Sequence, residues 1–273
     1  MIEWDSELYL RYEQERTQPS IDLAFRIPLE APQEIIDLGC GPGNSTRVLL
    51  NRWPSAHLVG LDSSPAMLER ARQGSANIEW RVGDIQTWSE FNRFDLIFAN
   101  ASLHWVTDHE TLMARLIDAL KPAGILAFQM PALYHQPAAQ AVNELADSSI
   151  WQPYRLRERY TLHVHKPGAY YDWLAPISKR VQIWETVYFH ELENHHRMIE
   201  FYASTGLKPY LEGLPSEGLR EQFKAEVLNS YRALFPAQPN GKVLFPFRRL
   251  FVIAARGLTS EALHESISSH RSG

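Results

Sequence analysis

The sequence has a single cysteine, Cys40, among its 273 residues. One thiol cannot form an intramolecular disulfide or a cluster of thiolate ligands, so a disulfide framework and a thiolate-rich metal site are excluded, and a reducing compartment fits. Excess positive charge is also missing: 27 Lys and Arg stand against 32 Asp and Glu, a formal net charge of -5. That balance provides no positive field to hold a nucleic-acid backbone, and nucleic acid is not an expected partner. Long apolar runs are absent too. The opening MIEWDSELYLRYEQER carries charge throughout, and no later run approaches the roughly 18 apolar residues of a membrane span. A soluble, cytoplasmic protein without a membrane partner is expected. Apolar material, by contrast, is plentiful: 45% hydrophobic and 11% aromatic residues can build a sizeable core in one large domain or a domain with a cap.

From Glu34 to Met130 short apolar runs alternate with longer amphipathic stretches. Strands are expected near 34–38, 57–61, 78–82, 94–99 and 124–130, and helices over about 43–53, 65–73 and 108–120. Thr107-Asp108 can cap the last helix, and Pro122 with Gly124 can end it. Such alternation predicts an α/β fold, doubly wound around a mostly parallel sheet. Beyond Met130 the period lapses, and 131–178 reads as a cap or substrate segment. Strand character returns at Lys179–His190, helices are expected over about 195–205 and 216–234, and Arg249–Arg256 reads as a final buried strand. The expectation is a single domain over 1–257, with a cofactor-binding core at about 30–130, cap or acceptor segments at about 131–178 and 191–247, and a polar, flexible tail at 258–273.

The segment IIDLGCGPGNST, Ile35 to Thr46, is an apolar strand carrying Asp37, then a glycine-rich turn opening a helix. Gly39, Gly41 and Gly43 permit close backbone approach of a ligand, and the helix N-terminus favours an anionic group. Asp62 closes the next strand about 20 residues on, the spacing at which a carboxylate meets ribose hydroxyls. Asp84 follows the third strand and can accept from an adenine amino group, with Ile85 and Met67 packing on the ring. Asn44, Ser63 and Asn100 complete the cofactor-side candidates. The pyrophosphate fingerprint GxGxxG would need a glycine where Asn44 stands, which argues against a dinucleotide enzyme. No Lys follows the glycines, which argues against a Walker-type phosphate loop.

Taken together, DLGCGPGNST, GLDSSPAML, GDI, DLIFANASLHWV and LKPAGILAFQMP resemble class I methyltransferases, and specifically bacterial trans-aconitate 2-methyltransferases. The opening WDSELYLRYEQERTQP, the block STGLKPYLEGL and the closing RRLFVIAAR extend the likeness to about Gly257. The resemblance implies a seven-stranded Rossmann-like sheet with an N-terminal lid helix and a helical cap. It implies S-adenosylmethionine as cofactor, its amino-acid carboxylate at the helix N-terminus, and methyl transfer to a carboxylate of a small polycarboxylic acid. Two segments depart from the family pattern, Ala132-Leu133-Tyr134 with Pro137-Ala138-Ala139, and Pro246-Phe247-Arg248-Arg249; both bear on the acceptor rather than the cofactor.

Methylating a carboxylate needs little acid–base help, because the nucleophile is already ionised at neutral pH. His104, after the fourth strand, is the candidate base should the acceptor be a hydroxyl, amine or carbon. An anionic acceptor calls for fixed cations, and Arg suits paired donation to carboxylate. Arg248 and Arg249, placed just before the final strand, are therefore acceptor candidates, with Tyr12 and Arg16 on the lid helix and Trp105, Tyr134 and Lys208 elsewhere. Tyr170 and Tyr171 read equally as packing or as acceptor contacts. The cluster Arg155, Arg157, Arg159, His163 and His165 reads as a solvated face, and no metal site is expected. Two other readings stay open: methylation of an oxygen, nitrogen or carbon nucleophile on another metabolite or carrier-bound acid, and a non-catalytic cofactor-binding or interaction module.

Overall fold

A computed structural model of the chain describes residues 13–74, 77–159, 162–203 and 206–257. Its sheet has seven strands: β1 (Glu34–Leu38), β2 (His57–Asp62), β3 (Ile78–Val82), β4 (Phe94–Asn100), β5 (Leu120–Pro131), β6 (Ser178–Leu192) and β7 (Val243–Arg256), in the order β3-β2-β1-β4-β5-β7-β6. β1 through β5 pair in parallel, with Asp37 opposite Gly60 on one side and Phe98 on the other. Strand order reverses between β1 and β4, the switch point of a doubly wound sheet, as the βα alternation predicted. Strands covered on both faces need continuous rather than alternating apolar character. Ile35–Leu38, Leu58–Leu61 and Leu96–Ala99 come close to that pattern, broken only by the carboxylate Asp37 and the glycine Gly60, and all are buried.

The helices are α1 (Glu13–Arg26), α2 (Asn44–Arg52), α3 (Pro65–Gly74), α4 (His109–Ala119), α5 (Pro137–Ala146), α6 (Pro167–Leu174), α7 (His195–Ala203), α8 (Lys208–Glu212) and α9 (Glu217–Leu234). Asp108 caps α4 by accepting from Thr111 N at 3.1 Å, and Ser216 caps α9. α5 and α6 fall where no sustained period was expected; each has a proline in its first turn, where the missing N–H costs no bond. No helix among the described residues is long and apolar enough to cross a membrane.

Two strands start several residues earlier than expected. β5 starts at Leu120 rather than 124, because Lys121–Gly124 bulge out between the pairs Phe94↔Leu120 and Leu96↔Ile125. Pro122 has no N–H to give a ladder, and a bulge asks for none. β7 starts at Val243, so Arg248 and Arg249 lie inside it, not before it. Pro246 resembles a strand boundary in sequence, but it falls on the less buried face of an alternating stretch: Val243, Phe245, Phe247 and Arg249 are buried, while Leu244, Pro246 and Arg248 are more open.

The chain divides into two compact units. Among the described residues, one comprises Thr17–Pro131, His163–Glu185 and Leu250–Gly257, so α6 belongs here. Its core is made of Ile35, Ile36, Val59, Leu96, Phe98, Leu126 and Phe128, each with no exposed surface. The other comprises, among the described residues, Glu13–Arg16, Ala132–Leu162 and Thr186–Arg249. That unit has its own aromatic core, in which Trp151 meets Phe223 edge-on at 5.0 Å and Tyr210 stacks on Phe223 at 6.1 Å. Trp151 Nε1 is satisfied there by Glu226 at 2.7 Å. Tyr12 of the expected lid lies outside the described residues, as does the side chain of Arg16.

Candidate functional site

The parallel strands β1 to β4 end at one edge of the sheet in the first unit, and the cofactor-side candidates gather on the loops beyond them. Asp37 is fully buried near the end of β1; its Oδ2 accepts from Ser45 Oγ at 2.6 Å and Thr46 Oγ1 at 2.7 Å, the first turn of α2. Burial pushes its carboxyl up to about 6, against the opposing effect of the two hydroxyls. Asp37 Oδ1 is buried and accepts no hydrogen bond. The glycine turn follows. Gly43 takes φ +87° as the residue preceding α2, and a Cβ there would stand 2.6 Å from Trp80 Cη2. Gly41 takes φ +55° with nothing within 4 Å of its Cβ position, so open space lies against this stretch of backbone.

Asp62 ends β2 and ties the turn down: one oxygen accepts from Gly41 N at 2.9 Å, the other from Ser64 N at 2.8 Å. Ser63 is exposed beside it, and Met67 is half-buried on the first turn of α3. Asp84 stands two residues beyond β3, exposed, with one oxygen accepting from Gln86 N at 2.8 Å, and Ile85 is buried next to it. Asn44 Oδ1 accepts from Arg47 Nη2 at 2.7 Å. Asn100 closes β4 and its Oδ1 accepts from Gln129 Nε2. After it, Ser102 Oγ donates to Leu38 O at 2.5 Å, joining the β4 exit to the start of the glycine turn. His104 and Trp105 sit on the 3-10 turn Leu103–Trp105; the His104 ring is buried and lies 5.1 Å from that of Trp105, which is 37% exposed.

The remaining acceptor-side candidates belong to the other unit. Arg249 is 7% exposed, with its guanidinium 4.5 Å over the Phe247 ring. On the same aromatic face lies His190, whose ring is 6.0 Å from Phe247; burial, with Arg249 adding to it, pushes its imidazole down to about 4. Arg248 is half-buried, and its carbonyl accepts from Ala132 N at 3.0 Å. The two segments that depart from the family pattern therefore meet, and Tyr134 follows on the 3-10 turn Leu133–His135. Lys208 opens α8 on another part of the unit, with its Nζ 3.8 Å from Glu212.

Several residues that pack against the cofactor-side candidates were not singled out from sequence. Trp80 on β3 lies against both Gly43 and Gly60, where a Cβ would meet its ring at 2.6 and 2.4 Å. The signal was Gly60 itself, a glycine inside a buried strand, which marks close approach of a neighbour. Arg115 Nη2 donates to Ile85 O at 2.8 Å and Gln86 Nε2 to Thr107 Oγ1 at 3.0 Å, holding the 84–88 loop to the middle of α4 and to the segment that leads into it. Cys40 is buried, and its thiol is pushed up by desolvation, in keeping with a packing residue.

Residues 35–124 match a family model described as a methyltransferase domain. Similar folds include the YcgJ protein from Bacillus subtilis (TM-score 0.57, 13% identity, 89% of this chain and 99% of that one). Another is a phosphoethanolamine N-methyltransferase 2 from Haemonchus contortus (TM-score 0.55, 18% identity, 88% and 53%). Relatives named trans-aconitate 2-methyltransferase are far more similar in sequence. That of Variovorax paradoxus is 40% identical over 94% of this chain and 99% of its own length. Those of Rhodopseudomonas palustris and Escherichia coli are each 41% identical over 94% of this chain and 100% and 99% of theirs. At that identity and coverage, the chain belongs to the trans-aconitate 2-methyltransferase family of methyltransferases.

Proposed function

We propose that this chain transfers the methyl group of S-adenosylmethionine to a carboxylate of a small polycarboxylic acid, trans-aconitate or a close analogue, giving a methyl ester. The observation that carries this reading is the end-to-end likeness to enzymes of that name, at 40–41% identity over 94% of the chain. The residues present also fit the cofactor. Gly41 leaves open space against the backbone, and Asp37 keeps one buried carboxylate oxygen that accepts nothing from the protein and suits an ammonium group. Asp62 would take the ribose hydroxyls with its remaining lone pairs, and Asp84, Ile85 and Met67 the adenine end. Asn44, Ser63 and Asn100 would border the same ligand.

When bound, S-adenosylmethionine supplies an electrophilic methyl group on a sulfonium. A carboxylate acceptor is ionised at neutral pH, so no side chain has to remove a proton, and the work left to the protein is alignment and exclusion of water. His104 and Trp105, beside the glycine turn, are assigned to the acceptor approach. Acceptor charge is assigned to Arg248 and Arg249, with Tyr134 adjoining them in the same unit and Lys208, Tyr12 and Arg16 as further candidates, because guanidinium groups donate paired N–H bonds to carboxylates.

The test is mass-spectrometric product analysis with S-adenosylmethionine and trans-aconitate, alongside cis-aconitate, citrate and isocitrate. A base-labile gain of one methyl on trans-aconitate is expected. A base-stable methyl group, or no product from any of the four acids while S-adenosylhomocysteine still binds, refutes the acceptor assignment.

A further inference from the structure

The turn bearing His104 and Trp105 is held by a closed circuit of hydrogen bonds, all within the first unit. His109, the first residue of α4, is 1% exposed; its Nε2 lies 3.0 Å from Leu103 O and its Nδ1 2.7 Å from Tyr170 Oη. A carbonyl only accepts, so Nε2 carries the proton, and Nδ1 of the neutral ring must accept from the tyrosine hydroxyl. Burial, with His165 nearby, pushes the His109 imidazole down to about 4 and keeps it in that neutral form. The Tyr170 oxygen in turn accepts from His165 N at 3.4 Å. Two residues back, His163 N donates to His104 O at 2.8 Å. The circuit runs from Leu103 O through His109, Tyr170 and the 163–165 segment to His104 O, so successive carbonyls of the turn are both fixed. Tyr170 is itself fully buried on α6, edge-on to Phe128 at 5.5 Å and beside Met130 Sδ at 3.4 Å.

We propose that His109 and Tyr170 are positioning residues, a neutral imidazole and a hydroxyl that together lock the Leu103–Trp105 turn in the orientation acceptor methylation requires. The catalytic half of this statement rests on the assignment of His104 and Trp105 to the acceptor approach; the positioning half rests on the hydrogen bonds alone. An apolar pair of similar shape would fill the same volume. Leu103 O also accepts from Val106 N at 2.9 Å within the turn, so what such a pair would lose is the second, side-chain donor that ties this carbonyl to α4. Tyr170 is built into the interior, whereas its neighbour Tyr171 is 55% exposed.

Tyr170→Phe, His109→Phe and His109→Gln separate packing from direction, because glutamine carries both the donor and the acceptor that the neutral ring presents and phenylalanine carries neither. Hydrogen exchange over residues 101–107 should quicken in both phenylalanine variants and return toward wild type in His109→Gln. With the wild-type acceptor, kcat should fall roughly tenfold in the phenylalanine variants, the size of one lost hydrogen bond of about 1.4 kcal/mol. S-adenosylhomocysteine affinity should stay within about twofold, and His109→Gln should recover most of kcat. Should His109→Phe fail to fold, Tyr170→Phe, which removes one oxygen atom, carries the test. Unchanged exchange at 101–107, a loosened turn with unchanged kcat, or His109→Gln as impaired as His109→Phe overturns the proposal. A wild-type protein that methylates no polycarboxylic acid would refute the acceptor assignment instead, and the exchange comparison would still decide whether the pair positions the turn.

Discussion

Asp62 accepts two backbone N–H bonds, one from the glycine turn and one from the start of α3. Each such bond to a charged acceptor contributes about 1.5–3 kcal/mol. Asp62→Ala should therefore free the turn and remove the proposed ribose contact, weakening S-adenosylhomocysteine binding on the order of a hundredfold by calorimetry; a dissociation constant within twofold of wild type refutes that role. The glycines separate two kinds of damage. Gly43→Ala combines φ +87° with a Cβ driven 2.6 Å from Trp80, so a loss of about 1–3 kcal/mol in stability is expected from thermal melting. Gly41→Ala meets no neighbour. Its stability cost should stay near 1–2 kcal/mol, while cofactor affinity falls because the new methyl group enters the space the ligand would use. If Gly41→Ala binds S-adenosylhomocysteine as wild type does, the ligand does not lie on that turn.

At the scale of the element, β7 divides into an alternating half and a buried half. From Val243 to Arg249 one face is buried, and from Leu250 to Ala254 every residue is buried. Alternation puts Arg249 among aromatics and turns Arg248 toward the open side. Truncating the two should thus differ. Arg248→Ala should raise the acceptor KM roughly tenfold, one charge-assisted bond, with melting temperature nearly unchanged. Arg249→Ala should raise KM and also lower the melting temperature, since it empties space over the Phe247 ring. If neither variant moves the acceptor KM, the arginines are structural and the anion is held elsewhere. The same strand shows how an element hides in sequence: Pro246 and the two arginines interrupt an apolar run, and only the register of the strand reveals that they fall in places where a proline and a cation are tolerated.

Across the whole molecule the buried titratable groups predict a pH profile. His109 and His190 both have imidazoles lowered to about 4. Their contribution to stability is complete above the unfolded value of about 6.5 and is lost as pH falls through about 4, because the unfolded chain takes up protons the native rings refuse. Asp37, raised to about 6, acts in the opposite sense: its contribution is present below about 3.8 and is lost as pH rises through about 6. Melting temperature should fall between pH 6.5 and 4, with two histidines opposing one carboxyl, and His109→Gln should flatten that limb. A wild-type melting temperature constant over the same range would contradict these burial effects.

Much of this molecule could be read from the chain in order. The glycine turn, the aspartates at or just beyond the ends of β2 and β3, the cap of α4 and the alternation of strand and helix are signals local in sequence, and they determined the α/β class, the sheet edge that carries the candidate cofactor residues and the methyltransferase resemblance. Periodicity and turn chemistry act between residues a few positions apart, so one sequence reports them directly. Tertiary structure decided the rest: that Trp80 lies over Gly43 and Gly60, that Ala132 meets Arg248, that Arg249 is buried on an aromatic face, and that His109 finds a hydroxyl 61 residues away. Such partners are chosen by how elements pack, and no period along the chain encodes which side chain arrives on the far side of a packed layer.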